Sequence, residues 1–144
     1  MFKKILVPVD IDYPDTARSV YEKAAAIAGL SEAEVKIVAV MPGFGMPIVA
    51  SYISEALRRE TEKKYRDSVE AFVRNNCGPA VTFTVKTGKN WEEIVKTADQ
   101  WGADLIVVYH NHRREINEVF SHSCSQRVAD HANCSVLRLR NVIG

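Results

Sequence analysis

Short apolar runs alternate with segments of helical periodicity along the chain, and this alternation constrains the fold more than any other feature. The runs that predict buried strands occupy residues 4–10, 35–40, 80–86, 105–108 and 135–140. Apolar residues recur at three- and four-residue spacing between them, which predicts a helix in each interval. Parallel strands need helical crossovers, so the order βαβαβαβαβ predicts an α/β fold: a single-domain, open five-stranded parallel sheet with helices on both faces.

Capping and breaking residues predict where the helices begin and end. Pro14 suits a helix start and Gly102 a helix stop. The long, charged second helix is expected over residues 51–75, and a turn is expected over residues 87–90. Ser123 and Gln126 have the spacing of a capping box, so the last helix is predicted to begin at Ser123.

Length and charge exclude some classes of protein. The 144 residues fit one domain, 1–144, that is long enough to bury a substantial core. The 19 basic and 18 acidic residues leave a formal net charge of +1. This balance argues against broad electrostatic binding to nucleic acid or to an anionic membrane.

The first residues and the cysteines indicate a cytoplasmic protein. The opening MFKKILVPVD has neither the long apolar region nor the cleavage site of a signal peptide. No apolar stretch approaches the roughly 18 residues that a membrane-spanning helix needs, so direct membrane insertion is not expected. Cys77, Cys124 and Cys134 form no CxxC pair, which fits a reducing compartment.

Asp10 ends the first predicted strand, at the edge where open α/β sheets bind their ligands. Its carboxylate either bonds a ribose or lies near a metal ion that accompanies phosphate. The alternative is a structural role, in which the carboxylate caps nearby backbone N–H groups.

A basic cluster follows the fourth predicted strand. Its members are His110, His112, Arg113 and Arg114. Together with His122 and the start of the last helix, they either hold an anion through charge or form a solvated loop.

The same histidines raise the question of a metal site. His110, His112, His122 and Cys124 are residue types that zinc prefers, but H-x-H followed ten residues later by H-x-C is not a standard spacing. The sequence therefore predicts no metal ligands.

No residue pattern indicates catalysis. Ser123 either bonds a phosphate or caps its helix. Cys124 and Cys134 are expected to be packing residues, because no acid–base partner is identifiable by spacing. Nothing resembles a Ser-His-Asp order or a paired-carboxylate site, so no catalytic residue is predicted.

Four stretches of the sequence resemble the universal stress protein family. They are KKILVPVD, VKIVAVMPGFGMPIVASYI, WGADLIVVYH and HANCSVLRLR. The segment GMPIVAS is similar to small members that are encoded beside, or work with, dicarboxylate-type transporters. The resemblance covers nearly the whole chain and implies a nucleotide-binding α-hydrolase-like, Rossmann-like fold.

The glycine motif of the nucleotide-binding members is altered in this chain. Those members carry Gly-x2-Gly-x9-Gly-Ser/Thr after the fourth strand, and the aligned residues are Tyr109, His112, His122 and Ser123. Only the hydroxyl remains. A Cβ obstructs both the positive φ and the close approach of backbone to phosphate that glycine permits.

The resemblance implies ATP or another adenine nucleotide as the cofactor, with Mg²⁺ only alongside nucleotide. In the family, the residues aligned with Val40 and Met41 flank adenine. The implied binding residues are Pro8, Val9, Asp10, Val40, Met41, Gly88, Tyr109, His110, His112, Arg113, His122, Ser123, Cys124 and Ser125.

Two functional hypotheses follow from the resemblance. The first is a non-enzymatic, dimeric stress-response or regulatory module with a degenerate nucleotide site and a protein or transporter partner, for which the loop 43–48 is a candidate surface. The alternative is an ATP/AMP-binding switch, with at most slow ATP hydrolysis, that uses His112 and Arg113 in place of the glycines.

Family members commonly pair their last strand antiparallel with its copy, which implies a homodimer. Arg138 and Arg140 replace apolar residues in that strand.

Overall fold

The computed structural model describes residues 1–42, 54–110 and 118–140. Within these ranges, the strands are β1 (Lys4–Val9), β2 (Glu34–Pro42), β3 (Thr82–Gly88), β4 (Leu105–Tyr109) and β5 (Ser135–Leu139). The helices are α1 (Pro14–Gly29), α2 (Glu55–Asn76), α3 (Asn90–Trp101) and α4 (His122–His131). All strands are parallel, in the order β3-β2-β1-β4-β5. The predicted open α/β fold is therefore confirmed.

The direction of winding reverses beside β1. The chain first builds outward from β1 through β2 to β3, and it then returns to β4 on the other side of β1. Because β-α-β crossovers are right-handed, α1 and α2 cover one face of the sheet while α3 and α4 cover the other. The carboxyl ends of β1 and β4 consequently flank the topological switch point, where folds of this type bind ligands.

The central strands are enclosed on both faces. Ile5, Leu6, Val7 and Val9 of β1 have no exposed surface, and β4 buries four consecutive apolar residues. A strand that is covered by helices on both sides needs apolar side chains in both directions. This requirement explains why these central strands are continuous apolar runs, whereas the edge strand β3 alternates apolar and polar residues.

Each helix packs one apolar face against this sheet. The buried residues of α1 and α2 are Ala17, Val20, Ala24, Ala28, Val69, Phe72 and Val73. The first half of α2 is largely solvent-exposed and carries ion pairs at i,i+4 spacing, such as Arg59 to Glu55. Across the described ranges, no helix is both long enough and apolar enough to cross a membrane.

The predicted turn at residues 87–90 is wrong. Thr87 and Gly88 extend β3 because they pair with Met41 and Pro42 at the end of β2. Gly88 has a φ of +141°, a conformation that glycine adopts at little cost. The strand can therefore turn into α3 after a single connecting residue.

Two other helix boundaries are set by local capping groups. Gly102 ends α3 in the left-handed conformation, with φ of +80°, as predicted. At the start of α2, the Ser54 side chain accepts a hydrogen bond from the N–H of Leu57 at 3.1 Å, so the helix begins at Glu55. Residues 51–53, where the predicted start falls, lie outside the described residues.

The predicted start of α4 at Ser123 is wrong, because Ser121 is the N-cap. The Ser121 Oγ accepts the N–H of Cys124 at 3.0 Å, and the helix begins at His122. Ser123 therefore lies inside the first turn, with an exposed side chain. Serine occurs at positions 121, 123 and 125. Because Cys124 and Ser125 pack against the sheet, Ser121 is the serine that caps the helix.

Asp104 fastens the start of β1 to the start of β4. Its carboxylate accepts the N–H of Lys3 at 2.8 Å and the N–H of Lys4 at 3.0 Å, while its own N–H donates to the Lys4 carbonyl at 2.9 Å. Burial alone would raise the pKa of the Asp104 carboxyl, but these N–H donors and the positive N-terminal amino group outweigh it and lower the pKa below its usual value. The carboxylate form thus stabilises the fold.

We expect Asp104→Asn to lower the free energy of unfolding by about 1 kcal/mol near neutral pH, because one charge-assisted acceptor is lost at a solvent-screened position. The pKa is lower in the folded state, so this contribution is present above the unfolded pKa of about 3.9 and is lost as the pH falls through the folded pKa. Urea unfolding at several pH values measures it. Asp67→Asn, on the exposed side of α2, is the control with the same charge change. Equal curves for both variants would contradict the assignment.

We expect Ser121→Ala to lower the free energy of unfolding by about 1 kcal/mol, because the N–H of Cys124 loses its acceptor at the start of a helix. Ser123→Ala is the matched control and should change the stability by less than about 0.5 kcal/mol. Thermal and urea unfolding of both variants test the position of the cap. A larger loss for Ser123→Ala than for Ser121→Ala would restore the capping box predicted from the sequence.

Candidate functional site

The carboxyl ends of three strands meet at one edge of the sheet. Pro8 and Val9 end β1, Val40 and Met41 lie near the end of β2, and Gly88 ends β3. The side chains of the first four are buried. A ligand at this edge would therefore meet backbone groups at these positions, and such contacts tolerate changes of side chain.

Asp10 follows β1 at this edge and makes the turn into α1. Its Oδ1 accepts the N–H of Asp12 at 3.0 Å, and its carbonyl accepts the N–H of Tyr13 at 3.1 Å. One carboxylate oxygen is thus engaged in the capping role that the sequence offered as the alternative to ligand binding.

Tyr65 of α2 is a residue of this edge that sequence reasoning did not select. Burial raises the pKa of its hydroxyl above the usual value, and the negative charges of Asp10 and Asp12 raise it further. The hydroxyl therefore stays protonated and remains a hydrogen-bond donor beside these carboxylates. The periodicity of α2 marked Tyr65 only as a core residue, and its polar tip was the signal that could have identified it.

A second tyrosine links α1 to the segment that leads into α4. The Tyr13 hydroxyl donates to the Glu118 carboxylate at 3.4 Å, across the end of the sheet. The start of α1 and the approach to α4 are thus joined on the side where β1 and β4 end.

Aromatic and imidazole side chains fill the space after β4. Tyr109 packs edge-to-face on Phe120, with 5.4 Å between ring centroids and 79° between ring planes. The next residue, His110, is 5% exposed and donates its backbone N–H to the Leu139 carbonyl at 2.9 Å. The end of β4 is therefore tied to β5 by its backbone and to the approach of α4 by its side chains.

His110, His122 and Arg138 form a polar cluster that joins β4, α4 and β5. The Nε2 of His110 lies 3.0 Å from the Nδ1 of His122. The Nη2 of Arg138 lies 3.2 Å from the same Nδ1 and donates to the Ser125 Oγ at 3.0 Å, while Nη1 donates to the Gln126 Oε1 at 3.1 Å. The sequence identified both histidines, but it interpreted Arg138 only as a residue of the last strand. Strand alternation puts Arg138 on the α4 face.

Three residues of the predicted anion-binding cluster lie outside the part of the chain that the structure describes. They are His112, Arg113 and Arg114. Ser123 is exposed at the start of α4, and Ser125 is buried with its Oγ donating to the His122 carbonyl at 3.0 Å. Of the predicted site residues after β4, the structure therefore brings together His110, His122 and Ser125, with Arg138 added.

Cys124, one of the nucleotide-binding residues that the resemblance implies, is a buried packing residue. Cys124 is 2% exposed, and burial raises the pKa of its thiol to about 12. A protonated thiol is a poor nucleophile and a poor metal ligand. In the described part of the chain, no group of three His, Cys, Asp or Glu residues is arranged to hold a metal ion. The guanidinium of Arg138 beside His122 also disfavours a cation there.

Comparisons with known proteins agree with this architecture. The sequence model of the Universal stress protein family matches residues 1–140. Universal stress protein MJ0531 of Methanocaldococcus jannaschii is 30% identical, over 95% of this chain and 81% of its own length. The solved structure of hypothetical protein MJ0577 superimposes with a TM-score of 0.74 at 25% identity, covering 97% of this chain and 96% of that one.

A structure with a bound nucleotide shares the same fold. The crystal structure of a universal stress protein in complex with cAMP has a TM-score of 0.60 at 23% identity, with 96% of each chain covered. The family model thus covers nearly the whole chain. The chain belongs to the universal stress protein family.

Proposed function

We propose that the protein is a non-enzymatic, dimeric regulatory module of the stress response in which the nucleotide site is degenerate. The observation that carries this proposal is the position of His122. The resemblance aligns it with the third glycine of the motif in nucleotide-binding members, and its Nδ1 lies within hydrogen-bond distance of His110 and Arg138. An imidazole that is fixed on two sides fills space that glycine leaves open for phosphate.

Tyr109 supports the same proposal from the other end of the motif. It stands at the position of the first glycine and is half-buried against Phe120. A glycine-lined cradle brings backbone N–H groups close to the phosphates, and two ring-bearing side chains do not reproduce it. The described residues therefore do not fit a triphosphate bound in the manner of that motif.

The thiols support a non-enzymatic role in a reducing compartment. Cys77, Cys124 and Cys134 are free, which suits the cytoplasm. Burial raises the pKa of Cys77 to about 11 and that of Cys124 to about 12, and the pKa of Cys134 is raised by burial and by nearby carboxylates. All three thiols stay protonated at neutral pH and are weak nucleophiles.

A protein partner, including a transporter, belongs to this proposal, but the candidate contact loop 43–48 lies outside the described residues.

The dimer would form through β5. Among the described strands, β5 lies at one edge of the sheet and pairs only with β4. Leu137 in its middle is 37% exposed. An edge strand with an exposed apolar side chain favours pairing with the same strand of a second copy, because both backbones then gain hydrogen-bond partners.

We expect Leu137→Glu to convert the dimer into a monomer, because a carboxylate on each copy of β5 would bring like charges together across the symmetry axis. Light scattering during gel filtration measures the mass of wild type and variant. Leu57→Glu, at the exposed start of α2, is the control and should stay dimeric. A monomeric wild type, or a dimeric Leu137→Glu, would contradict pairing through β5.

An adenine-nucleotide switch is the second candidate function. Asp10, Val40, Met41 and Gly88 share one edge of the sheet, where a ribose and a base could be bound. The cAMP complex of a protein with the same fold makes a nucleotide without a triphosphate chain a reasonable ligand. In this alternative, His112 and Arg113 would hold the phosphate, and Mg²⁺ would bind only together with nucleotide.

Calorimetric titration of untagged protein with ATP plus magnesium, AMP and cAMP separates the two candidates. For the degenerate site, we expect no binding of any of them at millimolar concentration. Micromolar binding that Arg113→Ala abolishes, and that the control Arg66→Ala on α2 leaves intact, would replace the first proposal with the switch. Micromolar binding that survives Arg113→Ala would contradict both the degenerate site and the proposed role of Arg113.

A further inference from the structure

We infer that a surface patch formed by Lys89, Trp91, Arg127 and His131 docks an acidic, extended segment of a protein partner. The four side chains come from the connection between β3 and α3, from α3 and from α4. The inference rests on the proposed regulatory role for the existence of a partner. It uses none of the residues that the resemblance implies in nucleotide binding.

Trp91 is the centre of this patch. Its ring stacks on the ring of His131, with 4.5 Å between centroids and 25° between planes. The Nζ of Lys89 lies 5.8 Å from the centroid of the same indole, and the guanidinium carbon of Arg127 lies 5.7 Å from it. Both distances fall within the roughly 6 Å of a cation–π contact. Basic side chains from two neighbouring helices and a connection thus converge on one aromatic ring.

The patch is exposed at its basic side chains and ordered at its centre. Lys89, Arg127 and His131 are exposed, whereas Trp91 is half-buried. The Nε1 of Trp91 is enclosed and has no hydrogen-bond partner within the described ranges, so a partner would meet ring carbons there. Because the indole is already held by its neighbours, binding against it costs little conformational entropy.

The nearby carboxylates leave the positive charge of the patch available. The Oε1 of Glu92 lies 3.9 Å from the Nζ of Lys89, and both side chains are exposed, so solvent screens this contact. Asp130 accepts a hydrogen bond from Gln126 instead. Across residues 1–42, 54–110 and 118–140, Arg127 forms no ion pair. The positive end of the α3 dipole adds to the same charge.

The chemistry of the patch fits a carboxylate-bearing peptide. Tryptophan and arginine are enriched among the residues that contribute most to protein interfaces. Carboxylates of an acidic segment can bond the fork of Arg127 and the ammonium of Lys89, while an apolar side chain packs on Trp91. A nucleic acid backbone would need a longer row of cations, and the chain as a whole carries a formal net charge of only +1.

A titration of the intact, ¹⁵N-labelled protein with a short peptide of glutamate and leucine tests this surface. We expect saturable shifts of the Trp91 ring N–H and of the Arg127 and His131 amides at submillimolar peptide, with no shifts in α1. Binding should weaken as salt is raised, because the charges are exposed. A peptide of serine and glutamate should bind less tightly, since it has no side chain to pack on the indole.

Variants of the exposed cations separate the patch from general attraction between charges. Lys89→Gln and Arg127→Gln should each raise the Kd for the glutamate–leucine peptide about threefold, because each removes one solvent-screened contact with a carboxylate. Lys96→Gln, which makes the same charge change at another exposed lysine of α3, is the matched control and should leave the Kd unchanged.

Four results would overturn the inference. They are the absence of saturable shifts at about millimolar peptide, equal shifts with a peptide of lysine and leucine, equal weakening by Lys96→Gln, and tighter binding of a single-stranded oligonucleotide at the same resonances. None of them bears on the degenerate nucleotide site, which the calorimetric titration tests separately. Nucleotide binding in that titration would in turn leave the peptide result intact.

Discussion

The pairing of β1 with β4 is the constraint on which the rest of the structure depends. It joins the two halves of the sheet, it reverses the winding, and it places the starts of α1 and α4 at the same edge. Asp104 secures this pairing at one end through the N–H groups of Lys3 and Lys4. At the other end, where β1 and β4 stop, lie Asp10 and His110 of the candidate site. A change in that pairing would therefore alter the site as well as the core.

The fold could be predicted from the sequence because the central strands β1, β2 and β4 need apolar side chains on both faces and therefore appear as continuous apolar runs between helical segments. The wrong predictions concern the ends of helices and strands whose position depends on contacts between residues that are distant in the sequence. Gly88 extends β3 because Pro42 is present to pair with it. Ser121 caps α4 in preference to Ser123 because the burial of the first turn fixes which serine precedes it. Local patterns describe the available caps, and tertiary packing selects among them.

The site could be predicted in part, for a similar reason. His110 and His122 were identified because they flank one segment of the chain. Their contact with each other and with Arg138 spans 12 and 16 residues of sequence and depends on α4 lying over β5. Tyr65 was missed because its ring satisfies the apolar period of α2, and helical periodicity carries no information about where a hydroxyl points. Only the structure shows which helices and strands lie next to each other at the site.

The departures from the family's glycine motif also gain a physical explanation. A histidine at the position of the third glycine brings a ring nitrogen within hydrogen-bond distance of His110 and Arg138, while the side chain as a whole is exposed. Arg138 also donates to Ser125 and Gln126. Restoring glycine at position 122 alone would therefore remove one contact of Arg138 without removing its charge. The three residues form one contact group, so a return to a glycine-lined phosphate site, with glycine in place of Tyr109, His112 and His122, would also alter the contacts of His110 and Arg138.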